Sequence, residues 1–340
     1  MKAIILEKPG QFHWTDIERP PDPGLEEALV RVHRVGVCGT DLHAFEGKQT
    51  FFEYPRILGH ELCVEIVALG DAGANLRVGD QCAVEPYLNC ARCIACRRGK
   101  PNCCVNLRVL GVHVDGGMRE QMLVPIDKLH RSAKLSFNQL ALVEPLSVAA
   151  HAVRRANVEA GEVVLIVGAG PIGLGVIEFA RAAGARVIVL EISESRLRFC
   201  RQTMKIDCCL NAAGKPLAEI QTSLAGDLPT AVFDCTGSPP SMMAAFNFVA
   251  HGGRLIFVGH FPGDVTFHDP LFHGREMTLL GTRNATRNDF QQVIQQMEQG
   301  QIDIASWIAD PVPHSAITEI FSSWLQPERE LIKPLIEWRV

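Results

Sequence analysis

The sequence predicts an α/β protein with two domains, and three observations lead to this fold class. The chain has 340 residues, which is more than one compact core usually holds. Its first third consists of short β-type runs that turn residues separate. Residues 162–191 follow a strand, glycine turn, helix and strand pattern. We therefore expect a small barrel-like β domain followed by a doubly wound parallel sheet.

Composition excludes several classes of protein. Hydrophobic residues make up 47% and charged residues 21%, as in ordinary globular proteins. A formal net charge of −5 gives no basic surface for a nucleic acid, and no apolar run is long enough for a membrane span. The N-terminus lacks a signal-peptide pattern, so we expect a cytoplasmic protein. There, 12 cysteines indicate metal binding and reduced thiols rather than a disulfide framework.

The β domain is predicted from four runs with little helical periodicity between them. These runs are Ala3–Glu7, Glu27–Val37, Cys63–Leu69 and Gln81–Pro86. Functional residues are most often found on the connections between such strands.

One connection, VCGTDLHAFEGKQTFFEYPRILGHE, carries three metal-binding side chains. Cys38, His60 and Glu61 supply a thiol, an imidazole and a carboxylate, which suit Zn²⁺. No fourth strong ligand for a closed site lies nearby, whereas Cys38, His60 and a distant carboxylate would form a catalytic site, which keeps one coordination position open. From the residues alone, the alternative is a buried cysteine and a core histidine that are close only in sequence.

The segment NCARCIACRRGKPNCCV predicts a second, closed metal site. Cys90, Cys93, Cys96 and Cys104 have the spacing to surround one Zn²⁺, with basic neighbours to offset the charge of four thiolates. An iron–sulfur cluster is the alternative. Cys103 competes for the fourth position, where the spacing favours Cys104. The remaining cysteines are expected to be small buried hydrophobic side chains: Cys63, Cys82, Cys200, Cys208, Cys209 and Cys235.

A helix is predicted over Ala141–Ala156, and Glu144 lies near its start in apolar surroundings. A bare carboxylate is costly there. Two interpretations remain open: Glu144 is the acid at the helix N-terminus, or it is a ligand of the open zinc site.

Residues 162–191 predict a dinucleotide-binding unit. A buried strand, Val163–Val167, leads into Gly168, Gly170 and Gly173. The first glycine allows the tight turn, the second admits a pyrophosphate, and the third allows helix and strand to pack closely. Glu191 ends the second strand, where an acid binds the ribose 2′-hydroxyl and favours NAD over NADP. Basic residues nearby keep NADP as the alternative: Arg196 and Arg198.

The sheet continues beyond this unit, and each further strand ends near glycine or threonine, as expected at the edge where a dinucleotide lies. The predicted strands are Ala231–Cys235, Arg254–Val258 and Met277–Leu280. A helix follows, with Thr286 and Asp289 as its capping box.

The GHE triplet, the four-cysteine segment, Glu144-Pro145 and GAGPIG, in this order, resemble the zinc-dependent medium-chain dehydrogenases over essentially the whole chain. The resemblance implies a GroES-like catalytic domain at 1–147, a Rossmann NAD-binding domain at 148–284, and a return to the catalytic domain at 285–340. Within the family, the chain is similar to polyol, threonine and sugar-acid dehydrogenases.

The resemblance also implies roles for individual residues. Cys38, His60 and Glu144 ligate the catalytic zinc, and Glu61 either ligates it or exchanges with water. Thr40 and His43 match the proton-relay positions. The residues that match NAD contacts are Gly168, Gly170, Pro171, Ile172, Gly173, Glu191, Arg196, Val258, Gly259, His260, Thr282 and Arg283. Relatives often carry Asp at the position of Glu191, and His260 is an unusual residue for its turn.

The function that the resemblance implies is hydride transfer from a secondary alcohol of a polyhydroxylated acid or polyol to NAD, with two Zn²⁺ per chain. A homodimer or homotetramer is expected, without nucleic-acid or membrane partners. The alternatives are a regulatory relative without turnover and a zinc-free quinone-type reductase, which leaves both metal-binding segments unexplained. Residues that could hold substrate carboxylate or hydroxyl groups are Arg56, Arg108, His113, Arg283 and Asn284.

Overall fold

The computed structural model describes residues 1–49, 52–70, 75–326 and 331–338. The chain divides into two compact units. Unit 1 comprises Met1–Ser147 and Ala285–Val340, and unit 2 comprises Val148–Asn284. None of the described helices combines the length and the apolar character that are needed to cross a bilayer.

The strands of the described residues, in chain order, are β1 (Lys2–Lys8), β2 (Gln11–Asp16), β3 (Glu27–Gly36), β4 (Glu61–Leu69), β5 (Gln81–Val84), β6 (Tyr87–Leu88), β7 (Arg108–Val109), β8 (Gln121–Pro125), β9 (Leu129–Arg131), β10 (Val163–Val167), β11 (Arg186–Glu191), β12 (Cys208–Asn211), β13 (Ala231–Asp234), β14 (Arg254–Phe257), β15 (Thr278–Gly281), β16 (Val312–Pro313) and β17 (Leu335–Glu337).

The α-helices are α1 (Gly39–Phe45), α2 (Ile94–Arg97), α3 (Phe137–Ala141), α4 (Val143–Ala156), α5 (Pro171–Ala182), α6 (Glu194–Gln202), α7 (Pro216–Ser223), α8 (Pro239–Ala244), α9 (Asp269–Gly274), α10 (Arg287–Glu298) and α11 (Ile317–Ile320). Short 3₁₀ turns lie at Pro101–Cys103, Ile126–Lys128, Ala245–Phe248, Ala305–Trp307, His314–Ala316 and Phe321–Leu325.

Strand β3 organises the sheet of unit 1. Along one edge it pairs antiparallel with β4, from Ala28 to Gly36. Along the other edge it pairs first with β8 and then, at its last residues, with β17. Fully and partly buried residues largely alternate along β3, as a strand with one face in the core requires. The C-terminal segment of the chain therefore lies directly beside the end of β3 that leads to Cys38.

The four predicted β runs of unit 1 are confirmed, with ends that differ by one or two residues. The predicted capping box of α10 is also confirmed, because Thr286 donates to Asp289 Oδ2 from its backbone N (2.8 Å) and its Oγ1 (2.6 Å). Strand β2 was not predicted from the sequence. It pairs only with β1, and its residues are partly or fully exposed, so its pattern lacks a clear apolar face.

Unit 2 contains a six-stranded sheet of order β12-β11-β10-β13-β14-β15. Every neighbouring pair in it is parallel, which confirms the predicted parallel sheet. The chain begins at the centre with β10, builds outward to β12 and then returns to continue from β13. This order creates a switch point at the carboxyl ends of β10 and β13, where doubly wound folds bind their ligands.

An ion pair joins the start of β14 to the residue before β10. Arg254 donates to both carboxylate oxygens of Glu162, at 2.9 and 2.6 Å, and to the carbonyl oxygens of Ala156 and Asn157. The hydrogen bonds from Arg254 lower the pKa of Glu162 to about 2, although partial burial opposes this shift. The ionised carboxylate therefore stabilises the folded state of unit 2.

We predict that Glu162→Gln lowers the melting temperature most near neutral pH. The contribution of Glu162 is complete above its unfolded-state pKa, near 4.5, and is lost as the pH falls through its folded value of about 2. The difference in melting temperature between wild type and variant should therefore shrink between about pH 6 and about pH 3. Glu159→Gln, at an exposed neighbouring position, is the control. An equal difference at both pH values would contradict the prediction.

Candidate metal centres and cofactor site

Cys38 lies where β3 gives way to α1. Its backbone is extended, and it precedes the first helical residue, Gly39. The carboxylate of Asp41 accepts a hydrogen bond from the Cys38 backbone N–H at 2.9 Å and another from Gly59 N at 3.4 Å. This single buried side chain thus ties the Cys38 turn to the segment that carries His60.

The structure brings three of the predicted ligands together. One ligand atom from each of Cys38, His60 and Glu61 lies within 4.8 Å of the other two. His60 and Glu61 are buried, while Cys38 is partly exposed. Gly36, which pairs with Glu61 across β3 and β4, leaves the room for this arrangement, because a Cβ there would lie 2.1 Å from Glu61 Oε2.

A buried lysine, which sequence analysis missed, completes the surroundings of this group. Lys333 donates from Nζ to Glu61 Oε1 and to the carbonyl oxygen of Val37, the latter at 3.1 Å. Burial lowers the pKa of Lys333, but the negative charges of Glu61 and Cys38 outweigh it and raise the value above normal. Lys333 therefore carries a positive charge beside the candidate ligands.

The remaining electrostatics of the group are dominated by burial and negative charge. Burial raises the pKa of Asp41, against the opposing effect of His60. Burial lowers the pKa of His60, but the charges of Asp41 and Cys38 outweigh it and hold the value well above normal. Several acidic and thiol groups thus surround one imidazole and one ammonium, an environment that favours a bound cation.

Glu144 lies in the first turn of α4, outside the tight group of three but within reach of its charges. Burial raises the pKa of Glu144 to about 7; His60 opposes this shift and Glu61 adds to it. Tyr87 donates its hydroxyl hydrogen to Glu144 Oε1. Glu144 is therefore an acid at the start of the helix, as one interpretation predicted, and its role as a zinc ligand stays a prediction.

The residues present fit a Zn²⁺ ion. Among the described residues, His60 Nδ1 and Glu61 Oε2 are buried and have no hydrogen-bond partner. His60 Nδ1 lies 3.7 Å from Asp41 Oδ1, beyond hydrogen-bond distance. Buried polar atoms are costly without partners, and a metal ion would supply one. Thiolate, imidazole and carboxylate are the donors that zinc prefers.

The four predicted cysteines of the second site also lie together. Their sulfur atoms are within 4.8 Å of one another, and Cys93 Sγ is 3.5 Å from Cys96 Sγ. Cys104 is buried within this group, whereas Cys103 is exposed and lies outside it. Backbone N–H groups of Cys96 and Val105 lower the pKa of Cys93 to about 6, which suits a metal-bound thiolate.

The two predicted proton-relay residues lie on α1. Thr40 is in its first turn and partly buried, while His43 is in its last turn and exposed. Residues three apart on a helix are neighbours on its surface. The pair thus leads from the interior of unit 1 towards solvent.

The glycine turn of unit 2 has the geometry of a phosphate cradle. Gly168 follows β10 with a φ of +92°, which favours glycine, and Gly170 precedes the first residue of α5. A Cβ at Gly173 would lie 1.9 Å from Gly168 O, whereas one at Gly170 would meet nothing within 4 Å. Space therefore remains beside Gly170 at the helix N-terminus, which fits the pyrophosphate of a dinucleotide.

Glu191 lies at the end of β11, beside this turn. Its Oε2 accepts from Ala169 N at 2.6 Å, and its Oε1 accepts from the backbone N–H groups of Ile192 and Ser193, both at 2.8 Å. The carboxylate is thus fixed next to the cradle. Arg196 lies on the following helix, α6, partly buried.

The other predicted cofactor residues follow β14 and β15 or begin α5. The backbone N–H groups of Val258 and Gly259 donate to Asp234 O at 2.9 and 3.0 Å, which holds the turn after β14 against the end of β13. Thr282 N donates to Phe257 O at 3.1 Å. The remaining residues of this set are partly or fully exposed: Pro171, Ile172, His260 and Arg283.

The predicted substrate-binding residues are divided between the units. In unit 1, Arg56 Nη1 lies 3.4 Å from Asp115 Oδ1, His113 Nδ1 accepts from Val109 N at 3.1 Å, and Arg108 is exposed. Unit 2 carries the two others, Arg283 and Asn284.

Comparison with known proteins identifies the family. The family described as "Alcohol dehydrogenase GroES-like domain" matches residues 24–134, and "Zinc-binding dehydrogenase" matches residues 171–299. The L-galactonate-5-dehydrogenase of Escherichia coli (strain K12) is 41% identical over 99% of this chain and 98% of its own length. This chain belongs to the zinc-binding alcohol dehydrogenases.

Solved structures of other dehydrogenases share the fold. A protein of E. coli CFT073, described as a short chain alcohol dehydrogenase complexed with NADH, has a TM-score of 0.92 and 29% identity, with 99% of both chains covered. A zinc-binding dehydrogenase of Sinorhizobium meliloti 1021 bound to NADP has a TM-score of 0.90 and 28% identity, with 99% of this chain and 98% of its own covered.

These findings confirm the predicted fold class, a GroES-like domain with a Rossmann domain, and the predicted class of enzyme, a dehydrogenase that acts on alcohols or polyols. The sequence segments LGVHVDGG, GTRNAT and RELIKPLIEW predict a likeness to L-galactonate 5-dehydrogenase in particular, and this likeness is also confirmed. The first two residues of RELIKPLIEW lie outside the described residues.

Substitution of two glycines should separate cofactor binding from folding. We predict that Gly170→Ala leaves the melting temperature close to wild type, because the added methyl group meets open space, but weakens NADH binding by at least about tenfold. Gly173→Ala should instead lower the melting temperature or the soluble yield, because its Cβ would overlap Gly168 O. NADH fluorescence and thermal melting on both variants provide the measurement. Unchanged NADH affinity in Gly170→Ala would contradict the proposed cradle.

Proposed function

We propose that this zinc-binding dehydrogenase oxidises a secondary hydroxyl of a sugar acid or polyol, with L-galactonate as the model substrate and NAD as the hydride acceptor. The observation that carries the proposal is the close group of Cys38, His60 and Glu61, in which the buried atoms His60 Nδ1 and Glu61 Oε2 have no hydrogen-bond partner among the described residues. The likeness to an L-galactonate-5-dehydrogenase supports the substrate class.

We infer that Cys38, His60 and Glu144 hold a catalytic Zn²⁺, and that Glu61 either binds it or gives way to water. A zinc ion at this position supplies a Lewis acid that lowers the pKa of a bound alcohol, and NAD supplies the hydride acceptor. Lys333 occupies one oxygen of Glu61, so the other is the atom that remains for a metal. The second site, with four cysteines, holds a structural Zn²⁺.

In this proposal, two residues of α1 remove the substrate proton. The Thr40 hydroxyl, at the partly buried end, accepts the substrate proton and releases its own proton into the relay, and His43, at the exposed end, delivers a proton to solvent. Arg56, Arg108, His113, Arg283 and Asn284 are the candidates for contacts with the substrate carboxylate and hydroxyl groups.

Unit 2 binds the dinucleotide in this proposal, and Glu191 selects NAD. Its carboxylate, fixed by three backbone N–H groups, lies where the ribose 2′-hydroxyl is bound in doubly wound folds, and it would repel a 2′-phosphate. Arg196, close in sequence, would favour NADP, and proteins with either cofactor occur among the structural neighbours. The argument for NAD therefore rests on Glu191.

We predict two Zn²⁺ per chain with different lability. Cys38→Ser should lose the labile ion and reduce turnover by more than about 100-fold, because it removes a ligand. It should keep its melting temperature and NADH binding. Cys104→Ser should lower the melting temperature or soluble yield, because binding at a closed four-thiolate site contributes to folding. Metal analysis, turnover, thermal melting and NADH fluorescence provide the measurements.

Two results would contradict this assignment. The first is a single zinc ion in fresh, active wild-type protein. The second is near-normal turnover in Cys38→Ser combined with loss of turnover in Cys104→Ser at an unchanged melting temperature, which would mean that the two sites had been assigned the wrong way round.

Glu191→Ala should narrow the preference for NAD over NADP. A hydrogen bond to a charged group contributes about 1.5–3 kcal/mol, so kcat/KM for NAD should fall about tenfold or more, while that for NADP should fall less. Glu194→Ala, an exposed acid in the first turn of α6, is the matched control. If the wild type reduces NADP as efficiently as NAD, the proposal that Glu191 selects NAD is wrong.

The substrate class is tested by NADH formation with a panel of aldonates, polyols, amino alcohols and simple alcohols. We expect the highest kcat/KM with L-galactonate or a related aldonate. A higher value with threonine or with a simple alcohol would overturn the proposed substrate class while leaving the dehydrogenase assignment intact.

A further inference from the structure

A short segment of unit 1, residues 85–90, touches both candidate metal centres. It enters from β5 with Glu85, forms β6 with Tyr87, and continues through Asn89 into Cys90, a member of the four-cysteine group. Tyr87 contacts Glu144, and Asn89 and Cys90 contact the four-cysteine group.

A buried lysine anchors this segment on both sides of Tyr87. Lys128 Nζ donates to Glu85 Oε1 at 2.7 Å and to Asn89 Oδ1 at 3.1 Å. Glu85 and Lys128 are 2% and 7% exposed, so their ion pair is screened little by water. His130 Nε2, also buried, lies 3.1 Å from Glu85 Oε2 and occupies its other oxygen. The segment is therefore held in place by side chains two residues before and after Tyr87.

The same anchor extends to the four-cysteine group. Asn89 accepts from Lys128 through Oδ1 and donates from Nδ2 to Cys96 Sγ, 3.8 Å away. The backbone N–H of Cys90 donates to Cys104 Sγ at 3.3 Å. If these thiolates moved, the hydrogen bonds would therefore move the backbone at Asn89 and Cys90 with them.

Tyr87 carries the contact with the catalytic group. Its side chain is 3% exposed, its ring packs edge-on against Phe290 with centroids 6.2 Å apart, and its hydroxyl donates to Glu144 Oε1. A phenol has one hydrogen to donate, so Tyr87 engages one oxygen of Glu144 and not the other. Hydrogen bonds of this kind orient metal-binding carboxylates.

We propose that Tyr87 is a positioning residue for Glu144 at the catalytic metal centre, and that the four-cysteine lobe (residues 90–104) acts on that centre through Tyr87. The inference rests on the proposed function, because it assigns Glu144 to the catalytic Zn²⁺. In this proposal the lobe does more than stabilise its own loop. Together with Asn89 and Lys128, it fixes the position of the strand that carries Tyr87.

The direct test is Tyr87→Phe, which removes the hydroxyl group and keeps the ring against Phe290. In competition with a coloured zinc chelator, the affinity for the labile zinc ion should fall about 10- to 100-fold, while the tightly held ion stays. The matched control is Tyr54→Phe. Tyr54 is the other of the two tyrosines in the chain and donates to Ala44 O at 2.5 Å, so this variant loses one hydroxyl bond and should keep wild-type zinc affinity.

Two further measurements distinguish positioning from packing. With Co²⁺ in the labile site, Tyr87→Phe should shift the visible absorption bands, which report the ligand geometry, and Tyr54→Phe should not. In a Glu144→Gln background, Tyr87→Phe should have little additional effect on zinc affinity, because the two residues act as a pair. A full and additive effect in that background would overturn the proposal.

The link to the lobe is tested with Asn89→Ala. This variant removes the donor to Cys96 and the acceptor of one Lys128 hydrogen bond, and it leaves the ion pair of Lys128 with Glu85 in place. We expect retention of both ions in fresh protein, a smaller loss of labile-zinc affinity than in Tyr87→Phe, and a Co²⁺ spectrum shifted in the same direction. A lower melting temperature with wild-type labile-zinc affinity and spectrum would show that the lobe does not act through Tyr87.

The outcomes also separate this inference from the proposed function. If wild-type protein holds no labile zinc, the proposed catalytic centre is wrong. If the wild type holds it, and Tyr87→Phe has wild-type affinity and a wild-type Co²⁺ spectrum, only the role of Tyr87 is overturned. Circular dichroism and thermal melting establish that each variant is folded. We expect Tyr87→Phe to be folded, because the ring and its packing are retained.

Discussion

The ion pair between Glu61 and Lys333 is the contact on which the close group of Cys38, His60 and Glu61 depends. Both side chains are buried, and loss of one partner from such a pair costs about 3–5 kcal/mol. Lys333 also holds the carbonyl oxygen of Val37, so one ammonium group fixes the residue before Cys38 and the residue after His60. Gly36 on β3 has no side chain, and this leaves room for the Glu61 carboxylate.

The motifs that the sequence predicted well consist of residues that are close together in the chain. The cysteine spacing, the GHE triplet and the glycine pattern each lie within a short segment, and the chemistry of the residue types indicates their use. The partners that orient these ligands are distant: Lys333 is 272 residues from Glu61, and Tyr87 is 57 residues from Glu144. Neither has a local pattern, and only the pairing of β17 with β3 and the start of α4 bring them into place.

Some strands of the fold were also easier to predict from the sequence than others. Strands β10 and β11 are continuous apolar runs in a parallel sheet, so the sequence predicted their ends closely. Strand β12 has only four residues, CCLN, with one of them buried, and its place at the edge of the sheet demands little apolar surface. Of its two cysteines, which were both predicted to be buried, Cys209 is buried and Cys208 is partly exposed, and the strand itself was not predicted.

Unit 1 is built from two stretches of chain with unit 2 between them, and this arrangement has a consequence for biosynthesis. The four cysteines of the lobe are all synthesised before unit 2, whereas Glu61 meets its counter-ion only when Lys333 has been made, after unit 2. Domains generally fold as units during synthesis, so the proposed four-cysteine site can be complete before unit 2 is made, and the proposed catalytic site only after it.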